Sequence, residues 1–196
     1  MDLRQKILNA ATELYAETGF RGTTTRQIAQ LAGVNEVTLF RHFGSKTALL
    51  HEAIRCACAT SGPGTLPEVP ADPRAELLAW ARLHWEELWA RRSVMRTAMG
   101  EIEEHPELLG EGGGPSVDAA IRLREYLQRL IDRGMAERHF DPSSAESMLM
   151  GTLFADAMGR DIMPGLFGPD ADKAVEDYVN LLLRAIGARS VAESKR

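Results

Sequence analysis

The run "TTTRQIAQLAGVNEVTLFRHFGSKTALL", Thr23–Leu50, constrains the fold more than any other stretch of the chain. Thr24 and Gln27 have the spacing of a capping box, just ahead of Ile28, Ala29 and Leu31. Gly33 then breaks the chain, a short helix follows from Asn35 to His42, and Gly44 ends it. Ser45 caps a further helix that carries Leu49, Ala53 and Ala57 on one face. Two short helices joined by Ala32-Gly33-Val34 have helix-turn-helix spacing, with glycine in the tight turn. At about 100° per residue, Leu39 and Phe43 share one face of the second short helix, where they can pack on Ile7, Leu14, Phe20 and Ile28. Val37, Thr38 and Arg41 emerge opposite, with Asn35 and His42 at one edge and Glu36 and Phe40 at the other. One side anchors the helix, and the other can read a groove.

Helical periodicity continues on both sides of this unit. From Asp2 to Thr18, Leu3, Ile7, Leu8, Ala11, Leu14 and Tyr15 form one stripe, which Gly19 is expected to stop. "SGPGTLPEVPADP", Ser61–Pro73, holds four prolines and two glycines and marks a linker. Asp72 then caps a long helix with Pro73 in its first turn. "GEGGGP", Gly110–Pro115, predicts a break. Helices follow from about Ser116 to Arg133, from Asp141 to Gly159 and from Asp170 to Ile186. No run of alternating β-branched residues competes, so the chain reads as all-α, with no internal repeat.

Charge sharpens the division. The net charge of −5 argues against a polyanionic partner until its distribution is considered. Residues 1–55 hold seven Lys/Arg against five Asp/Glu, and residues 56–196 hold sixteen against twenty-three. Only the front end can approach phosphates comfortably. We therefore expect a DNA-binding domain over 1–55 and a second domain over 56–196. No apolar run approaches the ~20 residues of a membrane span, and Met1–Arg4 has no signal-peptide character, so a cytoplasmic protein is expected. Cys56 and Cys58 point in different directions on a helix and read as ordinary reduced cysteines.

The order of glycine, Thr-Leu-aromatic, Phe, Ser-Lys and Leu-Leu over about residues 4–55 resembles the DNA-binding signature of TetR-family transcriptional regulators. The rest of the chain matches that family only in plan. The resemblance implies a homodimer, double-stranded operator DNA with an inverted repeat, and a C-terminal domain that binds a small-molecule effector. It places Thr25, Thr38, His42 and Lys46 at phosphate-holding positions, which suits hydroxyl, imidazole and ammonium donors. It places Arg26, Glu36, Val37 and Arg41 at base-facing positions: arginine suits guanine, glutamate the cytosine amino group, and valine the thymine methyl. Phe40 departs from the tyrosine usual in the family, keeping the ring and losing a hydroxyl.

In the second half, Trp80, His84, Trp85, Trp89, Met95, Met99, Met148, Met150, Phe154 and Met158 supply large, adaptable side chains that could line an apolar effector pocket or simply form core. Gly151, Ala155 and Gly159 recur every four residues and would let another helix approach closely. Tyr178, Leu181 and Leu182 put apolar surface on more than one side of the last helix, so the last two long helices are the expected dimer interface. Glu101, Glu104 and His105 in "EIEEHPELL" could sit near one another, but we read them as a solvated helix end rather than a metal site. No catalytic motif, cofactor motif or spaced metal-ligand cluster is present, so neither enzyme activity nor a cofactor is expected. The chain reads as an effector-released repressor. The alternative is a helical interaction protein that kept the fold and binds a protein partner.

Overall fold

In the computed structural model, which describes residues 2–58, 64–106 and 114–188, eight helices and no strand form among the described residues. They are α1 (Leu3–Gly22), α2 (Thr25–Ala32), α3 (Glu36–Phe43), α4 (Lys46–Cys58), α5 (Pro73–Glu101), α6 (Gly114–Asp132), α7 (Pro142–Gly159) and α8 (Ala171–Ala185). The expected break over Gly110–Gly113, the linker residues Ser61–Pro63 and the Cys58 side chain lie outside the described residues. Cys56 is an exposed free thiol. No helix of the described residues is long and apolar enough to cross a membrane.

The described chain falls into two compact units, one of residues 1–60 and 91–114, the other of 61–90 and 115–196. The long helix α5 therefore belongs to both. Its first eighteen residues, 73–90, lie in the second unit, and 91–101 lie in the first.

In the first unit the local signals act as their chemistry requires. The Thr24 hydroxyl accepts from the Gln27 amide and the Gln27 side chain answers the Thr24 N–H, a complete capping box. Gly33 ends α2 in the left-handed region at φ 70°, which a side chain would resist. Asn35 then caps α3 by accepting from Thr38 N at 2.7 Å. Ile7, Ile28, Leu39, Leu49, Leu50 and Ile54 are essentially fully buried in one apolar cluster, against which Leu14, Phe20 and Val34 pack. Each such side chain is worth about 1.5–3 kcal/mol relative to exposure, more than the caps supply. Arg4 pairs with Glu52 and lies 5.0 Å over the Phe43 ring, tying α1 to α4 and to the end of α3.

Gly19 does not stop α1 as expected. It adopts φ 68° and ψ −176°, and the chain resumes helical geometry as far as Gly22. The result is a helix with a break inside it rather than an end.

The second unit buries Leu77, Trp80, Ala81, His84 and Leu88 of α5, Leu123, Tyr126, Leu127 and Leu130 of α6, Leu149, Leu153 and Ala157 of α7, and Val175, Val179 and Leu182 of α8. Asp72 caps α5 through Ala75 N, and Glu76 accepts both the Asp72 N–H and the Tyr126 hydroxyl. Asp156, fully buried on α7, accepts from Trp85 Nε1 at 2.8 Å, Tyr178 OH at 2.6 Å and the Arg160 guanidinium at 2.8 and 2.5 Å. One carboxylate thus joins α5, α7 and α8.

Candidate nucleic-acid interface

The reading face follows from how α3 is anchored. Leu39 is wholly buried and Phe43 nearly so, while Val37, on the far side, is 75% exposed. Arg41 and His42 are exposed beside it, and Phe40 is 45% exposed at one edge. Arg26 is exposed on α2. A cation, a branched apolar group and an aromatic edge therefore share one solvent-facing surface, a composition suited to base edges and phosphates together.

Two of the sequence-predicted positions are already engaged with each other. The Thr25 hydroxyl donates to Glu36 Oε2 at 2.8 Å, which fixes the carboxylate at the start of α3 and leaves both side chains half-buried. With the hydroxyl so engaged, the donor Thr25 has left is its backbone N–H, in the first turn of α2, where a helix leaves donors without intrahelical partners. Thr38 donates its hydroxyl to Asn35 Oδ1 at 2.8 Å.

Lys46 is also occupied. Its Nζ donates to the Phe20 carbonyl at 2.5 Å and lies 4.8 Å over the Phe20 ring. Burial lowers its pKa, partly opposed by the charge of Glu101. An ammonium has three donors, and this bond uses one of them.

The α5 end is only in part the solvated end expected: Glu104 is exposed, but Glu101 and His105 are half-buried. Glu101 Oε2 accepts from the Tyr15 hydroxyl at 2.7 Å and Oε1 from Phe20 N at 2.8 Å. Glu104 pairs with Arg21 at 2.8 Å, and the His105 ring lies 4.1 Å from that of Phe20. No cluster of three possible metal ligands occurs among the described residues.

The candidate effector residues do not all come together. Met95 packs against the core of the first unit, and Met99, in the same unit, is 54% exposed. Trp80, His84, Trp85, Trp89, Met148, Phe154 and Met158 belong to the second unit. Trp80 and His84 are buried and stacked at 5.1 Å, and burial pushes the His84 pKa down to about 4. Trp85 and Trp89 are half-buried and stacked at 5.3 Å, Phe154 is half-buried, and Met148 is exposed. A cleft of about 410 Å³ in this unit is lined by Arg82, Trp85, Glu86, Pro169, Asp170, Ala171, Asp172 and Val175. Of the candidate effector residues, it takes only Trp85. The N-terminus of α8 supplies half of its wall, a pairing of α5 with α8 that no local pattern announces.

The candidate dimer residues divide as well. Gly151 and Ala155 are exposed on α7, and Leu181 is 60% exposed on α8. Gly159 is buried beneath Phe167 and Met163 of its own chain. Leu182 is buried, and Tyr178 is half-buried with its hydroxyl on Asp156.

Comparison with known proteins bears directly on this arrangement. The family description "Bacterial regulatory proteins, tetR family" matches residues 7–53, the span of the anchored reading helices. A helix-turn-helix transcriptional regulator of Bacillus subtilis, YvkB, is 24% identical over 94% of this chain and 97% of its own. The class A tetracycline repressor of Escherichia coli is 31% identical over 60% of this chain, which spans about half (51%) of that protein. A solved structure of AibR, in complex with isovaleryl coenzyme A and operator DNA, shares the fold with a TM-score of 0.65 over 96% of this chain and all of that one, at 19% identity. The matched span falls on α1 to α4, so residues 7–53 are similar to the helix-turn-helix part of TetR-type bacterial regulatory proteins, and the fold along nearly the whole chain is one that AibR shares.

Proposed function

We propose that the protein is a homodimeric repressor. It binds an inverted-repeat operator in the cytoplasm through α2 and α3, and a small hydrophobic effector bound in the second unit releases it. The observation that carries this reading is the two-sidedness of α3, with Leu39 fully buried and Val37 75% exposed beside exposed Arg41. Arg26, Glu36, Val37 and Arg41 read bases, and the Thr25 N–H, Thr38, His42 and Lys46 hold phosphates. Phe40 adds an apolar edge. The proposed domain limits are 1–55 and 56–196, with residues 91–101 of α5 reaching back to pack with the first domain. The exposed Gly151, Ala155 and Leu181 supply the dimer face. In a dimer, two heads fit one DNA face when set about 34–36 Å or a multiple apart, so a modest rotation weakens binding. The cleft beside Trp85 is lined by Glu86, Asp170 and Asp172 against Arg82, which favours neutral or cationic compounds over anions. That AibR was solved with a small molecule and operator DNA supports an effector-responsive reading without naming this effector.

Selection of duplexes from a random pool tests the proposal. A short inverted repeat, bound with a steep salt dependence, is the expected outcome. Recovery of no sequence, with no salt-sensitive binding, would favour the protein-partner alternative.

Two substitutions separate the assigned roles. Arg41→Ala should cost about 1–3 kcal/mol on the selected site and relax preference at one base pair per half-site. An equal loss on random DNA would reassign Arg41 to a phosphate. Lys46→Ala should weaken all duplexes alike and reduce the salt slope by ~1. If affinity falls with the slope unchanged, Lys46 acts only through its bond to the Phe20 carbonyl.

A further inference from the structure

The break in α1 creates an orphan. With Gly19 at φ 68° and ψ −176°, the helical ladder is interrupted just before Phe20. The Phe20 N–H is satisfied by Glu101 Oε1 at 2.8 Å, and the Phe20 carbonyl by Lys46 Nζ at 2.5 Å. The ring lies between the His105 ring at 4.1 Å and the Lys46 ammonium at 4.8 Å. Tyr15, fully buried one turn earlier, donates to the other oxygen of Glu101 at 2.7 Å, and Thr97 donates to the Ala16 carbonyl at 3.3 Å. A Cβ at Gly19 would stand 2.6 Å from Glu101 Oε1, so the carboxylate would have to shift, and the φ of 68° favours glycine in any case. The first residue of α4 and the last of α5 thus grip opposite ends of one residue of α1.

The geometry assigns Glu101 the role of a positioning residue for DNA binding: it couples the end of α5 to the break in α1, and through Phe20 and Lys46 to the start of α4. This rests on the DNA-binding reading above and adds the route by which α5 and the reading helices sense each other. A shift of α5 that withdraws the carboxylate removes the acceptor that the Phe20 N–H has here, so the position of Glu101 and the geometry of the α1 break are linked. Coupling is reciprocal, so operator binding must in turn be felt along α5. The chain carries its own reporter, because its three tryptophans, Trp80, Trp85 and Trp89, all lie on α5.

The test follows tryptophan emission of the full-length protein during titration with the selected operator and with a scrambled duplex of equal length. The wild type should show a shift with the operator alone. Glu101→Ala should abolish that shift and change operator affinity about tenfold, within the usual range of coupling between sites. Glu101→Gln keeps an amide oxygen for the Phe20 N–H and should restore most of the response. Tyr15→Phe, which keeps the buried ring and removes one donor, should weaken the response with the fold intact, and it decides the matter if Glu101→Ala does not fold. A merely structural role would lower stability in these variants and leave the emission response unchanged. That result overturns the inference, as does a wild type that binds its operator with no change in emission. A wild type that binds no DNA overturns both this inference and the reading beneath it.

Discussion

Asp156→Ala is expected to destabilise the protein by about 3–5 kcal/mol, the usual consequence of removing one partner from a buried ion pair. The carboxylate is fully buried and accepts from Trp85, Tyr178 and Arg160. Alanine would leave the Arg160 charge, of which only a tenth of the side chain is exposed, without its counter-ion. It would also leave an indole N–H and a phenol without their acceptor. Asp156→Asn keeps the shape and one acceptor oxygen, so its cost should be smaller. Denaturant unfolding followed by tryptophan emission measures both, and a loss below about 1 kcal/mol for alanine would show that the three donors find other partners. The same site carries a pH signature. Burial alone would raise the Asp156 pKa, but the hydrogen bonds from Arg160, Tyr178 and Trp85 outweigh it and hold the group below its ordinary 3.8. A depressed folded-state pKa contributes stability that is present above 3.8 and is lost as pH falls through the lower folded value. Acid unfolding below about pH 4 should therefore be shallower in Asp156→Asn than in the wild type. Tyr178 stands on the other side of the same bond, its pKa pushed up to about 12 by burial and by Asp156, so it stays neutral throughout this range.

Ala155→Trp should give folded monomers that no longer hold the operator. Ala155 is exposed on α7, and a Cβ at Gly151, one turn earlier, would meet nothing within 4 Å. The position therefore faces solvent, whereas a Cβ at Gly159 would meet Phe167 and Met163. If this face packs against a second copy, the indole forces the helices apart. Two linked heads bind far more tightly than one, because the second engagement is intramolecular, so loss of the dimer should lower operator affinity by roughly 10²–10⁴. Sedimentation analysis checks the assembly and duplex titration the binding. A folded dimer of the Ala155→Trp variant would move the interface elsewhere, with exposed Leu181 the next position to change.

How much of this was legible beforehand depended on sequence distance. The α2–α3 unit was legible because its determinants are local: Thr24 with Gln27, Gly33, Asn35 with Thr38, and Gly44 all act within a few residues. The burial of Leu39 opposite exposed Val37 needed only the helical period. The grip of Glu101 on Phe20 spans 81 residues and that of Trp85 on Asp156 spans 71, and neither carries a local pattern. The same limit made all of "EIEEHPELL" read as a solvated end, since Glu101 finds Tyr15 and Phe20 only when α1 is beside it. It also misplaced Met95, because nothing in the periodicity of α5 marks where that helix passes from one unit to the other. The Thr25–Glu36 bond was nearly within reach: both residues stood out as surface polar groups, but their pairing depends on the turn angle between α2 and α3.

The two-sidedness of α3 bears on how such a regulator diversifies. The anchoring face, Leu39 and Phe43, is buried among α1, α2 and α4, and both ends of the helix are closed by the chain's own groups at Asn35 and Gly44. Exposed positions away from such features usually tolerate replacement within about ±0.5 kcal/mol of stability. Val37 and Arg41 are positions of that kind. If Val37 and Arg41 read bases as proposed, a lineage carrying this scaffold can exchange its DNA vocabulary one letter at a time while the alphabet's binding, the fold itself, stays intact.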